Sequence, residues 1–313
     1  VEQMYTDFED YGWSSGTYCQ KVYQGYTTKI DKDVVISTWQ SVYKMPKKYF
    51  EQFDCVIGDE AHMFKAKSLT SIMTKLHQCK YRFGFTGTLD GTETHRLVLE
   101  GLFGSVEQVV TTKELIDKKT LANLKIKCIT LKHPEKRERM TYAEELDYLV
   151  SKESRNRFIL DLCNTISGNT LVLFQLVEKH GKILYDGMKE KENVYFVYGG
   201  TDTDQREKIR GLVEKHKNST TIASYGTFST GINIRNIHNI VLASPSKSKI
   251  RVLQSIGRGL RTSSTKDSIL IFDIADDISY KDRRNFTLNH FFERLNIYNE
   301  EQFNYEISKV KIK

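Results

Sequence analysis

The sequence predicts an α/β protein of two domains, each with a mainly parallel sheet flanked by helices. Its 313 residues fit two domains of the common size, about 100–200 residues each. Short apolar runs, such as "TLVLF" at 170–174, alternate with amphipathic stretches, such as 203–217. This alternation is typical of α/β layers, because helices must cover both faces of a parallel sheet.

Apolar runs with flanking turn residues predict the strands, and amphipathic spacing predicts the helices. The predicted strands are 33–38, 55–60, 81–87, 125–131, 170–174, 194–199, 220–225, 239–244 and 268–274. The predicted helices are 66–78, 154–167, 175–190 and 203–217.

The strand pattern breaks in a polar, Lys-rich stretch at 111–126. We therefore expect a first domain at 1–114, a linker at 115–126 and a second domain at 127–313, with a helical tail from about 276. The chain begins inside patterned sequence. We therefore expect the first domain to be incomplete at its N-terminus.

Composition limits the classes of protein. The chain has 47 Lys plus Arg against 40 Asp plus Glu, a net charge of +7, which permits a polyanionic partner without requiring one. Its five cysteines form no C-x-x-C pair, which argues against zinc or dithiol sites. No apolar run approaches the ~20 residues of a membrane span and no signal peptide is visible, so we expect a cytoplasmic protein.

Two adjacent carboxylates, Asp59 and Glu60, follow the apolar run in "DCVIGDEAHMF". The carboxyl end of a buried parallel strand is where open α/β sheets bind ligands. Neighbouring carboxylates repel each other, and a divalent cation relieves that repulsion. The pair predicts a site for Mg²⁺, held largely through water. The alternative is a solvated turn at the end of a strand.

Three further segments follow in order: "FTGT" at 85–88, "ASYGTFSTGINI" at 223–234 and "QSIGRGLR" at 254–261. With "DEAH", they resemble motifs II, III, V and VI of the superfamily 2 helicases. The resemblance extends along essentially the whole chain and is strongest to recombination and repair helicases of tailed phages. It implies RecA-like domains, ATP and Mg²⁺ as cofactors, and a nucleic-acid partner.

The resemblance assigns roles in the first domain. Asp59 would bind Mg²⁺ and Glu60 would activate the attacking water, while His62 would couple the γ-phosphate site to the second domain. Thr86 and Thr88 match motif III and would link the acidic pair to the domain interface. The alternatives are a satisfied polar residue for His62 and a turn at the end of a strand for the two threonines.

Arg258 and Arg261 match motif VI. They are three residues apart, so on a helix both would face one way. Guanidinium groups stay charged and make bidentate contacts to phosphate oxygens. By resemblance they would act as fingers on the transition state, worth ~10³–10⁵ in rate. Gln254 leads into the same motif. Gly257 and Gly259 have no side chains and would allow other atoms to approach the helix backbone closely. The alternative is a solvated basic helix.

Gly231 and Asn233 match motif V on the nucleotide side. Many relatives carry Asp where Asn233 stands, and Asn keeps a group that can bond a ribose hydroxyl but loses the charge. Ser229 and Thr230 would bind nucleic-acid phosphates through hydroxyl and backbone N–H groups.

Thr38 and Gln40 resemble motif Ib, which touches the sugar–phosphate track, although a cap at the end of a strand is the alternative. Trp39, Tyr225 and Phe228 lie beside this predicted track. An aromatic ring can stack a base for ~1–3 kcal/mol, but core packing is the favoured role for each of these three side chains.

The 313 residues contain no G-x-x-x-x-G-K-[ST] loop to cradle a triphosphate. In the family this loop precedes the segments found here, so we expect a chain that lacks its first motifs and turns over ATP poorly alone. A gene product with a degenerate first site is the alternative.

The resemblance implies an ATP-dependent DNA helicase or translocase acting on recombination, repair or replication intermediates. We expect a monomer that binds single-stranded or branched DNA. An RNA–DNA hybrid, such as an R-loop, is an alternative partner. One alternative is a non-catalytic nucleic-acid-binding module on the same scaffold. Another is a nuclease-linked translocase subunit, but no nuclease-type D…E-x-K cluster stands out.

Overall fold

The structure, a computed structural model, describes residues 1–89, 92–134, 140–231, 234–246, 248–260, 266–281 and 283–313, with the backbone alone at 229–231 and 249–250. The chain folds into two compact units, Val1–Glu107 and Gln108–Lys313. Within the described ranges, no helix is both long and apolar enough to cross a bilayer.

The first unit contains two separate two-stranded parallel sheets, β1–β2 and β3–β4. Its helices are α1 (Glu2–Asp10), α2 (Ser15–Tyr18), α3 (Trp39–Val42), α4 (Lys47–Phe50), α5 (Lys67–Lys75) and α6 (Glu93–Phe103), with a 3₁₀ turn at Ala61–Lys65. Its strands are β1 (Cys19–Val22), β2 (Val34–Ser37), β3 (Cys55–Gly58) and β4 (Tyr81–Gly84).

One face of the β3–β4 pair packs on aromatic rings. A Cβ added at Gly58 would lie 2.8 Å from the Phe64 ring, and one at Gly84 would lie 3.0 Å from the Phe103 ring. Phe64 and Phe103 meet edge to face, with centroids 5.0 Å apart. The two glycines therefore allow the sheet to lie directly on these rings.

The other face of this strand pair is exposed. Ile57 is 64% exposed, and Tyr81 and Phe83 are also exposed on the same face. The expectation of a buried strand before the acidic pair is therefore wrong. The physical reason is that the Phe64 and Phe103 rings cover only one side of a two-stranded sheet.

The second unit is built on a seven-stranded parallel sheet with the order β11-β5-β10-β9-β6-β8-β7. Its strands are β5 (Asn123–Lys132), β6 (Thr170–Phe174), β7 (Val194–Val197), β8 (Thr220–Ser224), β9 (Asn239–Leu242), β10 (Ser268–Asp277) and β11 (Tyr305–Lys311). Its helices are α7 (Thr112–Asp117), α8 (Tyr142–Ser151), α9 (Glu153–Thr165), α10 (Lys182–Asp186), α11 (Thr203–Lys215), α12 (Tyr225–Gly231), α13 (Lys249–Gly259) and α14 (Phe286–Glu300), with a π-helix at Val177–Gly181.

Both faces of this sheet are buried. Ile240 and Leu242 of β9 join a core with side chains of α12, α13 and α14. Val241, between them, joins the opposite core with side chains of α9 and α10. This alternation explains the continuous apolar runs in the sequence, because successive strand residues point to opposite faces. The predicted α/β class with parallel sheets flanked by helices is confirmed.

The tail differs from the prediction of a helix. Phe286–Glu300 is helical, but Tyr305–Lys311 is a strand that pairs in parallel with β5. The predicted linker, 115–126, also contains the end of α7 and the start of β5 and lies inside the second unit. Tyr305 packs against one core and Val310 against the other, which makes a strand favourable for this charged segment.

Candidate active site

The acidic pair lies at the carboxyl end of β3, and both side chains are exposed. The backbone N–H of Glu60 donates to Asp59 Oδ1 at 2.9 Å. Glu60 has a φ of 51°, in the left-handed region that non-glycine residues seldom adopt. Two adjacent, exposed carboxylates fit a magnesium ion that keeps most of its waters. Among the described residues, no group of three or more His, Cys, Asp or Glu side chains forms a separate metal site.

His62 connects this pair to the next strand end. It is buried, and its Nδ1 lies 2.9 Å from Thr86 Oγ1 and 3.3 Å from Glu60 Oε2. The Thr86 hydroxyl donates to the Thr88 carbonyl at 3.0 Å. Because that bond uses its only hydrogen, Thr86 Oγ1 accepts from Nδ1–H of His62. Glu60, His62, Thr86 and Thr88 therefore form one connected polar chain.

Backbone bonds hold these two strand ends together. The N–H of Phe85 donates to the Gly58 carbonyl at 2.8 Å, and the N–H of Ala61 donates to the Phe85 carbonyl at 2.8 Å. These bonds extend the β3–β4 ladder beyond the strands. The segment that carries Thr86 is thereby fixed against the 3₁₀ turn that carries His62.

The motif Ib residues follow β2. Thr38 Oγ1 and Ser41 Oγ lie 2.9 Å apart, and Thr38 stands at the N-cap of α3. Trp39 and Gln40 are exposed, and the Trp39 ring meets Tyr43 edge to face at 5.5 Å. Thr38 is thus engaged locally, while Trp39 and Gln40 are open to solvent.

The motif V segment follows β8 and forms α12. The hydroxyl groups of Ser224 and Thr227 form a hydrogen bond, with their oxygens 2.8 Å apart. Tyr225 and Phe228 are 3% and 1% exposed, so neither can stack a base and both pack in the core. Ser229, Thr230 and Gly231 occupy the end of α12, and Asn233 lies outside the described residues.

The motif VI segment lies on α13. Gln254 and Arg258 are one turn apart and half-buried. The guanidinium carbon of Arg258 lies 5.6 Å from the Phe228 ring centroid, a cation–π contact that joins α13 to α12. Arg261 lies outside the described residues. The expectation that both arginines share one helix face therefore stays a prediction.

The two glycines of this motif differ. A Cβ at Gly259 would lie 2.1 Å from Ile269 Cδ1 and 2.8 Å from Ile240 Cδ1, so the helix rests directly on the sheet there. At Gly257, no atom of the described residues lies within 4 Å of such a Cβ. The expectation that a glycine allows close approach to the helix backbone is confirmed for Gly259. For Gly257 it stays a prediction, because no described atom lies near that position.

Lys266 was not predicted from the sequence. Its side chain is buried, and its Nζ donates to the carbonyls of Gly259 at 2.5 Å and Arg235 at 3.0 Å. Burial lowers the pKa of Lys266 to about 8, although Glu214 opposes the shift. A cation at the last carbonyls of a helix is favourable. Lys266 therefore caps the helix that carries Arg258.

A buried ionic network beneath the strand ends also lacked any sequence signal. Arg155 Nε and His133 Nε2 each lie 2.8 Å from Asp276 Oδ1. Arg155 also donates to the Ala243 carbonyl at 2.7 Å. Burial alone would raise the pKa of Asp276, but Arg155 and His133 lower it to about 2. The network ties α9 to the ends of β9 and β10.

His180 extends this network to β6. Its Nδ1 lies 2.9 Å from Ser244 Oγ, which also accepts from the backbone N–H of Gln175 at 3.1 Å. Burial lowers the pKa of His180 to about 3, and the charge of Arg155 adds to the effect. His180 is therefore neutral near pH 7.

A second buried pair anchors α14. Arg294 donates to both oxygens of Asp273, at 2.7–3.0 Å, and to the Ser246 carbonyl at 2.9 Å. Tyr298 donates to the same carboxylate at 2.8 Å. These residues do not form a recognisable pattern in the sequence, and only the fold brings them together.

Two domain families match the chain. Residues 1–91 match the family described as the res subunit of type III restriction enzymes. Residues 143–263 match the helicase conserved C-terminal domain.

Among curated proteins, the ATP-dependent DNA helicase UvsW of Enterobacteria phage T4 is 36% identical over 332 aligned residues, covering 99% of this chain and 66% of that protein. The crystal structure of T4 UvsW aligns with a TM-score of 0.54 at 35% identity and covers 99% of this chain and 65% of that chain. The chain thus spans slightly less than two thirds of this relative.

Two more distant structures share the fold. S. cerevisiae Dbp5 bound to RNA and ADP BeF3 aligns with a TM-score of 0.58 at 15% identity, covering 94% of this chain and 70% of that chain. The ATP-dependent type ISP restriction-modification enzyme LlaBIII bound to DNA aligns with a TM-score of 0.61 at 12% identity. The alignment covers 99% of this chain and 24% of that chain. These two similarities show the RecA-like fold alone.

Proposed function

Because the chain belongs to superfamily 2 of the helicases, we propose that it forms most of an ATP-dependent DNA helicase or translocase. Its substrates would be branched intermediates of recombination, repair or replication, with R-loops included. The main structural support is the polar chain from Glu60 through His62 to Thr86. It joins Glu60, the proposed base, to the neighbouring strand end.

In the first unit, Asp59 would hold Mg²⁺ largely through water, and Glu60 would take the proton from the attacking water. The ion would supply positive charge to the triphosphate. Both carboxylates are exposed at a strand end, as this role requires. A displacement of Glu60 would then be transmitted through His62 to Thr86 and Thr88.

In the second unit, Arg258 and Arg261 would stabilise charge on the transferred phosphoryl group, with Gln254, Gly231 and Asn233 on the nucleotide side. The contact between Arg258 and Phe228 supports this role, because it positions a guanidinium beside the motif V helix. Lys266 would be a positioning residue, since it holds the end of α13.

The proposed DNA contacts come from both units. Thr38 and Gln40 would touch the sugar–phosphate backbone in the first unit, and Ser229 and Thr230 would do so in the second. Trp39 is the remaining candidate for base stacking, because it is exposed whereas Tyr225 and Phe228 are buried.

The 313 residues hold no G-x-x-x-x-G-K-[ST] loop, so we propose that they hydrolyse ATP poorly by themselves. The test is an ATPase assay with and without single-stranded DNA, on this chain and on a complete protein that carries the loop. DNA-stimulated turnover by the complete protein alone is expected. If neither protein hydrolyses ATP while both bind DNA, the chain is a non-catalytic nucleic-acid-binding module instead.

A further inference from the structure

A cavity of about 440 Å³ opens in the second unit between α8, α14 and the segment from β9 to α13. It is far from the carboxylate pair in sequence. Its walls include Tyr142, Gln175, Ser246, Arg251, Phe286 and His290. Within the described part of the chain, neither an acidic side chain nor a residue of the proposed hydrolytic site lines this cavity.

Arg251 supplies a cation to one wall. It lies in the first turn of α13, where its backbone N–H donates to the Ser248 hydroxyl at 3.3 Å. Its guanidinium carbon lies 5.4 Å from the centroid of the buried Tyr225 ring, whose hydroxyl donates to the Ser244 carbonyl. Arg251 is half-buried and oriented, a favourable state for binding phosphate oxygens.

Aromatic rings form another wall. Tyr142 lies 6.4 Å from the Phe286 centroid at an interplanar angle of 80°, and 5.2 Å from the His290 centroid. Phe286 is 43% exposed. Surface aromatics beside a cation are the features that bind a nucleobase and its phosphate together.

The position of Phe286 is fixed by its helix. The buried Glu145 accepts from the backbone N–H groups of Phe286 at 2.9 Å and Thr287 at 2.6 Å, which satisfies the start of α14. The backbone of Phe286 is therefore held in place at the cavity, while part of its ring stays open to solvent. Arg283 and Arg284 precede it in the sequence and are exposed, so the chain just before Phe286 is positively charged.

We propose that this cavity binds one nucleotide of a single DNA strand, with the phosphate at Arg251 and the base against Phe286 and Tyr142. The inference rests on the proposed function for the identity of the strand, and it adds a contact outside the helicase motifs. A free mononucleotide has the same chemistry, so the experiment must separate the two sources.

The test uses this chain, without ATP, and a fluorescent oligo-dT strand whose binding is followed by anisotropy. Phe286→Ala and Arg251→Ala should each weaken binding by about five- to tenfold, the loss of a stacked base or a phosphate contact. Phe292→Ala is the matched control, because Phe292 lies on the same helix, is 39% exposed and does not line the cavity. It should bind like the wild type.

A second readout maps the contact directly. Oligo-dT carrying 5-iododeoxyuridine should crosslink under ultraviolet light to peptides that contain Phe286 or Tyr142. Phe286→Tyr keeps the ring and should restore binding, which separates lost stacking from lost folding.

Each result decides between the proposals. If the wild type binds DNA but Phe286→Ala binds as well as Phe292→Ala, this cavity assignment is wrong and the proposed function stands. If the wild type binds no DNA, both proposals fail. Protection of the crosslink by millimolar dTMP, with no weaker DNA binding in Phe286→Ala, would show a mononucleotide pocket and overturn the strand assignment.

Discussion

The Nδ1 atom of His62 lies 2.9 Å from the hydroxyl oxygen of Thr86, across the ends of β3 and β4. The same nitrogen lies 3.3 Å from a carboxylate oxygen of Glu60. One buried imidazole therefore touches both the proposed base and the proposed linking segment. We therefore expect a change at Glu60 or Thr86 to alter the contacts of His62.

Thr86→Val tests this coupling. Valine keeps the shape of threonine but removes the acceptor for His62, so DNA-stimulated ATP hydrolysis by the complete protein should fall about tenfold, as for a positioning defect of roughly 1.4 kcal/mol. ATP binding should be retained. The matched control is Thr74→Val, because Thr74 is exposed and its hydroxyl bonds, within the described part of the chain, only the Thr70 carbonyl of its own helix. Equal rates for the two variants would remove Thr86 from the coupling.

His180 predicts a loss of stability in weak acid. Its pKa is about 3 in the folded protein and about 6.5 when unfolded. The unfolded state therefore binds the extra proton between these values, and stability falls as pH drops below 6.5. From pH 6.5 to 4.5 the loss should be about 2–3 kcal/mol, measured by urea unfolding.

His180→Gln should flatten this pH dependence, whereas His77→Gln should leave it unchanged, because His77 is exposed. An identical slope in the wild type and His180→Gln would contradict the assignment.

Gly257 and Gly259 form a matched pair on one helix. Gly259→Ala should destabilise the second unit by about 1–3 kcal/mol, because its Cβ would collide with Ile269 and Ile240. Gly257→Ala would meet no atom of the described chain within 4 Å and should stabilise the helix by about 0.5–1 kcal/mol. Thermal unfolding of both variants measures the difference. Opposite signs are expected, and equal effects would contradict the close packing of α13 on the sheet.

The sequence predicted the parts of the fold that follow local patterns. Continuous apolar runs identified the buried strands of the second unit, because both faces of that sheet are covered. It did not predict β11, whose charged residues alternate weakly and whose strand form depends on pairing with β5. It also missed β1, whose "CQKV" contains only two apolar residues.

The candidate site shows the same limit. Glu60, His62 and Thr86 could be placed at adjoining strand ends, since parallel strands end at one edge of a sheet. Arg155, Asp276 and Lys266 could not, because nothing in their sequence neighbourhoods marks a buried charge. Their partners are brought to them by the packing of segments that are distant in the sequence.

The most direct measurement is DNA-stimulated ATP hydrolysis by the complete protein carrying Glu60→Gln or Arg258→Ala. If a carboxylate of one unit and a guanidinium of the other serve the same phosphate, each variant should lose ~10³-fold or more in turnover and still bind ATP. Glu51→Gln and Arg157→Ala, at exposed positions of the same two units, should remain active. Near-normal turnover in either the Glu60 or the Arg258 variant would contradict a shared hydrolytic site.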